Sequence, residues 1–211
     1  MRPLPAAVPC LRHAACASLA PDVSLPPSHN PRAVFLDRDG TLNVEKSYLS
    51  DPSQLELLPR VPEALARLRD AGFRLFIVTN QSGIGRGYYT EADMHRVNAR
   101  LEELLAPHGL RFERIYYAPE APEQPSHGRK PSPNFLFDAR DAFGLDLAQC
   151  YMVGDKIADL ECGWNAGVRA SVLVRTGYGR DVESKHPEAA RRALVVDDLS
   201  GFADRIGAPP G

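Results

Sequence analysis

Two aspartates, Asp37 and Asp39, flank an arginine directly after four apolar residues in the stretch AVFLDRDGTLN, Ala33 to Asn43. Clustered carboxylates repel one another and resist desolvation unless a cation or a proton sits between them. Polar groups of complementary chemistry recur after later apolar runs. Thr79 ends the run RLFIVT and is followed by Asn80, Gln81 and Ser82; Arg129 and Lys130 follow FERIYYA after a proline-rich loop; Asp155, Lys156 and Asp159 follow CYMVG. Asp37, Asp39 and Asp155 together make a hard oxygen set with room for water and phosphate, which suits Mg²⁺. A carboxylate at a rigid strand end can also act as a nucleophile toward phosphorus, which assigns that task to Asp37. Asp39 is then placed to protonate the leaving oxygen and later to deprotonate a water. Thr79 and Lys130 are suited to neutralise the transferring phosphoryl oxygens.

These residues must be brought together by the elements that carry them. From Ala33 onward, short apolar runs alternate with helical patterns, the signature of a parallel sheet covered on both faces. The strand candidates are AVFL, RLFIVT, FERIYYA, CYMVG, ASVLV ending at Val174 and ALVV ending at Val196. Pro62 to Asp70 reads as a crossover helix, with Ala64, Leu65 and Leu68 on one face and Gly72 as the stop. Thr90 and Asp93 open a second helix as a capping box, and Met94, Val97, Leu101, Leu104 and Leu105 follow at helical spacing. Further helices are predicted over Pro133 to Phe143, Ala158 to Ala166 and Leu199 to Ile206, and the stretch GYGRDVESKHPEAARR is read as a solvated connection with a short helix. The fold class is therefore α/β: a Rossmann-like three-layer α/β/α domain with a mainly parallel sheet. In such sheets ligands bind beyond the carboxyl ends of the strands, where all the polar groups above converge.

Composition narrows the partners. The chain has 211 residues and a formal net charge of -2, so it lacks the basic field that nonspecific nucleic-acid binding requires. No apolar run is long enough to predict a membrane span. Four cysteines, Cys10, Cys16, Cys150 and Cys162, show no paired spacing, which points to a reducing, cytoplasmic setting. Residues 1–30, rich in Pro, Ala and Ser, are read as a disordered or loosely packed extension, and 31–211 as the functional domain.

The stretches DRDGT at 37 to 41, VTNQSGIGRGYYTEADM from Val78, GRKPSP from Gly128 and VGDKIADLECGWNAGV from Val153 resemble the four motifs of the haloacid dehalogenase-like phosphatases. More narrowly they resemble its small capless branch of D-glycero-D-manno-heptose 1,7-bisphosphate 7-phosphatases and histidinol-phosphate phosphatases. The resemblance implies a capless fold, Asp37 as nucleophile, Asp39 as general acid/base, and Thr79 with Lys130 as the phosphate clamp. It implies Mg²⁺ held by Asp37, Asp155 and the Asp39 main-chain carbonyl, with Asp159 as an orienting partner. It further implies that Asn80, Gln81, Ser82, Arg86 and Arg129 line the substrate pocket. Lys156 is read either as a substrate contact or as the partner of an acid.

The pattern departs from that branch in the loop before Lys130, where relatives commonly carry a Cys-x-His pair and a Cys-x-Cys pair for zinc. Here Ala118, Glu120, Ser126 and Gly128 stand at those positions, so a thiolate-based tetrahedral site cannot form. No zinc is expected, and the loop is expected to be held by Pro119, Pro122, Pro125 and Pro131. The function expected is hydrolysis of a small phosphorylated metabolite by a monomer through an aspartyl-phosphate. Heptose 1,7-bisphosphate, cleaved at its 7-phosphate, is the favoured substrate, histidinol phosphate the alternative, and a non-catalytic phospho-ligand-binding or scaffold protein the rival from another class.

Overall fold

The computed structural model describes residues 32–206; the N-terminal extension read from residues 1–30 lies outside the described residues. Six strands form one sheet: β1 (Ala33–Leu36), β2 (Arg74–Asn80), β3 (Arg114–Ala118), β4 (Tyr151–Gly154), β5 (Ala170–Val174) and β6 (Leu194–Val196). All pairings are parallel and the order is β3-β2-β1-β4-β5-β6. Eight α-helices accompany them among the described residues: α1 (Val61–Asp70), α2 (Ser82–Gly85), α3 (Glu91–Leu105), α4 (Asn134–Phe143), α5 (Ile157–Ala166), α6 (Gly179–Lys185), α7 (Pro187–Arg192) and α8 (Leu199–Ile206).

The strands are apolar on both faces because both are covered. Val34 and Leu36 of β1 join Leu65 and Leu68 of α1, Leu101 and Leu105 of α3 and Phe202 of α8 in one core layer. Ala33 and Phe35, pointing the other way, join Leu136 and Ala139 of α4 and Cys162 of α5. The period-2 alternation of side chains along a strand sorts neighbouring residues between the two layers. A smaller cluster of Leu160, Leu173 and Val182 seats α6 beside the outer strands.

Local chemistry sets the helix ends. Thr90 Oγ accepts from the Asp93 N–H at 3.2 Å while the Asp93 carboxylate accepts from the Thr90 N–H at 2.7 Å, a reciprocal cap worth about 1 kcal/mol. The connection after β5 holds two helices, α6 and α7, where the sequence suggested one short helix in a solvated link.

The order reverses around β1: the chain runs outward through β2 and β3, then returns across β1 to β4. That switch point opens a crevice at the carboxyl ends of adjacent strands. β1 and β4 are neighbours there, with Leu36 opposite Val153, so residues 37 and 155 leave the sheet side by side. Among the described residues, no further domain is inserted between strands, and no helix is long and apolar enough to cross a membrane.

Candidate active site

Asp37 begins where β1 stops, and its N–H still donates to the Val153 carbonyl at 2.9 Å, which fixes its backbone within the sheet. Its side chain is buried. Lys130, carried in by the loop between β3 and α4, places its ammonium 2.9 Å from Asp37 Oδ1 and 2.6 Å from Asp159 Oδ1, and donates to the Val78 carbonyl at 2.6 Å. Burial alone would push the Asp37 carboxyl up, but Lys130 and then Lys156 hold it below the usual carboxylate range. Burial would likewise lower the Lys130 ammonium, and the charges of Asp159 and Asp37 outweigh it and raise it. The pair is thus ionised: a carboxylate with one oxygen fixed by a cation.

Asp155 leaves β4 and Asp159 lies in the first turn of α5, where its Oδ2 accepts from the Lys156 N–H at 2.9 Å. Asp37, Asp155 and Asp159 each offer an oxygen, all within 4.8 Å of one another. Burial pushes Asp155 up to about 7, with Lys156 opposing and the charges of Asp37 and Asp159 assisting. The Lys156 ammonium stands among oxygens as a stand-in cation. It is 3.3 Å from Asp155 Oδ1, 3.4 Å from the Asp39 carbonyl, 3.6 Å from Asp37 Oδ2 and 3.0 Å from Glu45 Oε2. A ring of hard oxygens already arranged around one cation fits Mg²⁺. Asp159 is bonded to Lys130 and to the α5 N-terminus, while Asp37, Asp155, the Asp39 carbonyl and Glu45 are the oxygens around the Lys156 ammonium that could hold a metal.

Two glycines make room for that cluster. Gly40 at φ 85° and Gly177 at φ 52° both press against the Asp155 carboxylate, and a methyl group on either would collide with it. The positive φ and the close approach are both open to glycine alone without strain. The chain at Gly177 is tied down by Thr176 Oγ1 donating to the Gly40 carbonyl at 2.6 Å, and the Tyr178 N–H donates to Asp155 Oδ2 at 2.8 Å.

The other aspartate of the pair sits in a different setting. Arg38, fully buried, turns its guanidinium onto Asp39, donating from Nη2 to Oδ2 at 2.9 Å and from Nε at 3.2 Å. It also donates to Asn98 Oδ1 at 2.8 Å and Gln81 Oε1 at 3.1 Å. Asn43 Nδ2 donates to Asp39 Oδ1 at 2.9 Å. A charge so deeply buried is tolerable only when paired and hydrogen-bonded in this way.

The substrate-lining residues expected from the sequence divide. Ser82, Arg129 and Lys156 line a cavity of about 450 Å³ that opens over Asp37, Asp39, Thr79 and Lys130. Gln81 also borders it, but its amide is spent on protein: Nε2 donates to Asp39 Oδ2 at 3.0 Å and Thr79 Oγ1 at 2.9 Å, while Oε1 accepts from Arg38 and from Tyr89 at 2.6 Å. Asn80 reaches the cavity wall with its side chain bonded at both ends to the Lys130 backbone, 3.0 Å each. These two amides therefore align catalytic candidates rather than present free donors. Arg86, also expected in the pocket, is exposed and does not line this cavity, with its nearest carboxylate Glu123 at 4.0 Å. It sits just past the end of α2, close enough to Arg129 for the two charges to repel.

Sequence reading did not single out Arg38, Glu45, Tyr89, Asn98 or Tyr178. Arg38 stood in view between two aspartates, a charge where the strand pattern demands burial, and that conflict was a signal. Nothing local marks Tyr178, which comes from the connection after β5. The loop before Lys130, expected to be held by its prolines, also carries side-chain hydrogen bonds. Ser126 Oγ donates to Glu120 Oε2 at 2.7 Å, and further hydrogen bonds cross the loop.

The site's geometry is that of a phosphate-ester hydrolase, and comparison with known proteins agrees. A family model described as HAD-hydrolase-like matches residues 127–202. The D-glycero-beta-D-manno-heptose-1,7-bisphosphate 7-phosphatase of Escherichia coli K12 is 41% identical over 179 residues, covering 82% of this chain and 90% of its own. The D-glycero-D-manno-heptose-1,7-bisphosphate 7-phosphatase of Chlorobaculum tepidum is 40% identical over 163 residues, covering 71% and 81%. Among solved structures, the D,D-heptose 1,7-bisphosphate phosphatase of B. bronchiseptica, complexed with magnesium and phosphate, superposes with a TM-score of 0.77 at 31% identity, covering 83% of this chain and 97% of that one. With a catalytic cluster of this kind at the switch point of the sheet and identity of this extent, the chain belongs to the HAD-like phosphatases, in the family of the heptose-1,7-bisphosphate 7-phosphatases.

Proposed function

We propose that this chain is a Mg²⁺-dependent phosphatase that removes the 7-phosphate of D-glycero-D-manno-heptose 1,7-bisphosphate through an aspartyl-phosphate on Asp37. The observation that carries the reading is the buried Asp37–Lys130 pair at the end of β1, beside a ring of oxygens already closed around a cation. The substrate is supported by the identity to heptose bisphosphate phosphatases across most of the chain.

The chemistry divides among the residues in two steps. An Asp37 oxygen attacks phosphorus, the bond from phosphorus to the sugar oxygen breaks, and Asp39 gives that departing oxygen a proton. In the second step Asp39 takes a proton from water, the water oxygen attacks phosphorus, and Asp37 leaves as the free carboxylate. Lys130 keeps Asp37 ionised and orients it throughout. Thr79 lends its hydroxyl proton to a phosphoryl oxygen while its own oxygen accepts from Gln81. Asp37, Asp155 and the Asp39 carbonyl would hold Mg²⁺, which would supply charge neutralisation at the phosphoryl oxygens. Asp159 holds Lys130 and the start of α5 in register. Ser82 and Lys156 present polar groups to the sugar phosphate, and Arg129 meets the second, non-reacting phosphate, a task suited to a planar guanidinium.

One chain supplies every group this reading needs, which supports a monomer. Cys150 and Cys162 are both buried, in keeping with a reducing, cytoplasmic setting. Zinc has no part in the reading, since no thiolate stands in the loop before Lys130.

The test is phosphate release with Mg²⁺ on both anomers of heptose 1,7-bisphosphate, histidinol phosphate, fructose 1,6-bisphosphate and an aryl phosphate. A kcat/KM for one heptose anomer well above the rest is expected. Flat activity across the panel would remove the substrate assignment, and preference for histidinol phosphate would replace it.

A further inference from the structure

Arg129 lies in a loop without regular secondary structure between β3 and α4, yet a guanidinium that reads an anion must be held in one place. Hydrogen bonds through Ser126 and Glu120 hold it, and the Ser132 N–H donates to its carbonyl at 2.9 Å. Ser126 Oγ accepts from the Arg129 N–H at 3.1 Å and donates to Glu120 Oε2 at 2.7 Å, and Arg129 Nη1 donates to the Glu120 carbonyl at 3.1 Å. Ser126 thus grips the main chain of Arg129 and the side chain of Glu120 at once, while Glu120 returns its carbonyl to the guanidinium. The loop is also docked against α2, where the Gly85 N–H donates to the Pro119 carbonyl at 2.8 Å, and tied within itself by the Ala121 N–H donating to Gln124 Oε1 at 2.7 Å.

The guanidinium needs such a clasp. Burial works against its charge and so does the nearby Arg86, with Glu120 and Glu123 opposing them, so a cation left free would swing toward solvent. The carbonyl of Glu120 is the one hydrogen-bond acceptor recorded for its side chain among the described residues. Its remaining N–H groups, on a residue that lines the cavity, are available to an incoming anion.

We infer that Ser126 and Glu120 are positioning residues for substrate selectivity: by clasping Arg129 against the cavity wall they set the preference for a substrate with a second anionic group. This rests on the reading that Arg129 meets the non-reacting phosphate. The clasp does not touch the reacting centre, so its loss changes recognition of the distal phosphate and leaves the chemical step alone.

The experiment compares heptose 1,7-bisphosphate with heptose 7-phosphate, which lacks the distal phosphate, in wild type, Ser126→Ala, Ser126→Thr, Arg129→Ala and the double variant Ser126→Ala/Arg129→Ala. Ser126→Ala should raise KM for the bisphosphate by about tenfold, the scale of one hydrogen bond serving a charged group, with kcat and the monophosphate KM unchanged. Ser126→Thr, which keeps the hydroxyl, should restore the low KM. The double variant should be no worse than Arg129→Ala. A purely structural loop contact would disturb neighbouring Lys130 and lower kcat on both substrates alike, and that result, or an unchanged KM, overturns the clasp. Wild type preferring neither substrate over an aryl phosphate would instead sink the heptose reading and the clasp with it. An active wild type with an indifferent Arg129→Ala overturns the clasp alone.

Discussion

Two groups of charge, one around Asp39 and one around Asp37, border the cavity, and they are built on opposite rules. Around Asp39 the carboxylate is saturated with donors: Arg38, Asn43 and Gln81 all donate to it, and Asn98 and Tyr89 in turn engage Arg38 and Gln81. Around Asp37, Asp155 and Asp159 three carboxylates share two ammonium groups, and one of these, Lys156, keeps a side chain 37% exposed. A saturated network specifies geometry and asks nothing from outside. A crowded one stores repulsion that an added cation relieves. On the proposed mechanism, the contrast separates the group that would move protons, which must be held still, from the group that would bind metal and phosphate, which must receive charge.

The sharpest way to break this comparison is at its nucleophile. Asp37→Asn keeps the shape but removes the attacking charge, and phosphatase activity should fall by on the order of 10⁴ or more with the far-ultraviolet circular dichroism unchanged. A variant that remains active would return Asp37 to the role of metal ligand only.

The next test asks whether Lys156 stands in for the metal. Lys156→Met leaves the carboxylates with Lys130 alone, so the metal-free protein should lose about 1–2 kcal/mol, a figure already discounted for solvent screening of a partly exposed pair. Saturating Mg²⁺ should recover most of the loss, since a ligand that binds only the folded state stabilises it by mass action. Thermal melts with chelator and with Mg²⁺ read both values. An equal loss in both conditions would make Lys156 an ordinary structural pair.

Asn98→Ala probes the saturated side. It strips a partner from the buried Arg38 and should cost about 1–3 kcal/mol, by the same amount with and without Mg²⁺. A metal-dependent loss would show that the two networks are not separate.

Proton binding distinguishes them further. Asp155, raised to about 7 from the ordinary 3.8, holds a proton in the metal-free folded state that the unfolded chain has already released. Stability of the metal-free protein should therefore fall as pH rises from about 4 to about 7. Mg²⁺ binds the deprotonated form and should flatten that slope. Urea titrations at several pH values, with chelator or with Mg²⁺, measure it, and a slope that Mg²⁺ leaves untouched would contradict the metal assignment of Asp155.

The smallest effect is expected at Arg86. Being exposed and only loosely opposed by Glu123, it should change kcat/KM less than about threefold on truncation to alanine, the scale of a surface pair. A larger loss would bring the α2 end back into the substrate pocket.

Much of this architecture was legible in the residue pattern because strand ends are marked locally. The apolar runs before Asp37, Thr79 and Asp155 are short, buried on both faces and followed at once by polar residues, so the sheet and the convergence of those groups could be read together. The roles of Gln81 and Asn80 were not legible. Asn80 ends β2 and Gln81 follows it, both read as free polar donors, and only their distances to Thr79, Asp39 and the Lys130 backbone reveal how their amides are used. Tyr178 and Glu45 reach the site from connections without periodicity, where local sequence has nothing to mark. The clasp of Glu120 and Ser126 was hidden for a related reason. Prolines advertise backbone restriction in the sequence, whereas a serine's hydrogen bond to a glutamate six residues away depends on how the loop closes.

The central claim, a phosphoryl group carried on Asp37, is tested most directly by rapid acid quench of the Mg²⁺-loaded enzyme in its first turnover, followed by mass spectrometry of the peptide containing residues 33–43. The account predicts that peptide to carry one phosphoryl group on Asp37, with the modification absent in Asp37→Asn. Release of phosphate at full rate with that peptide never modified, or with the phosphoryl group on another residue, would contradict it.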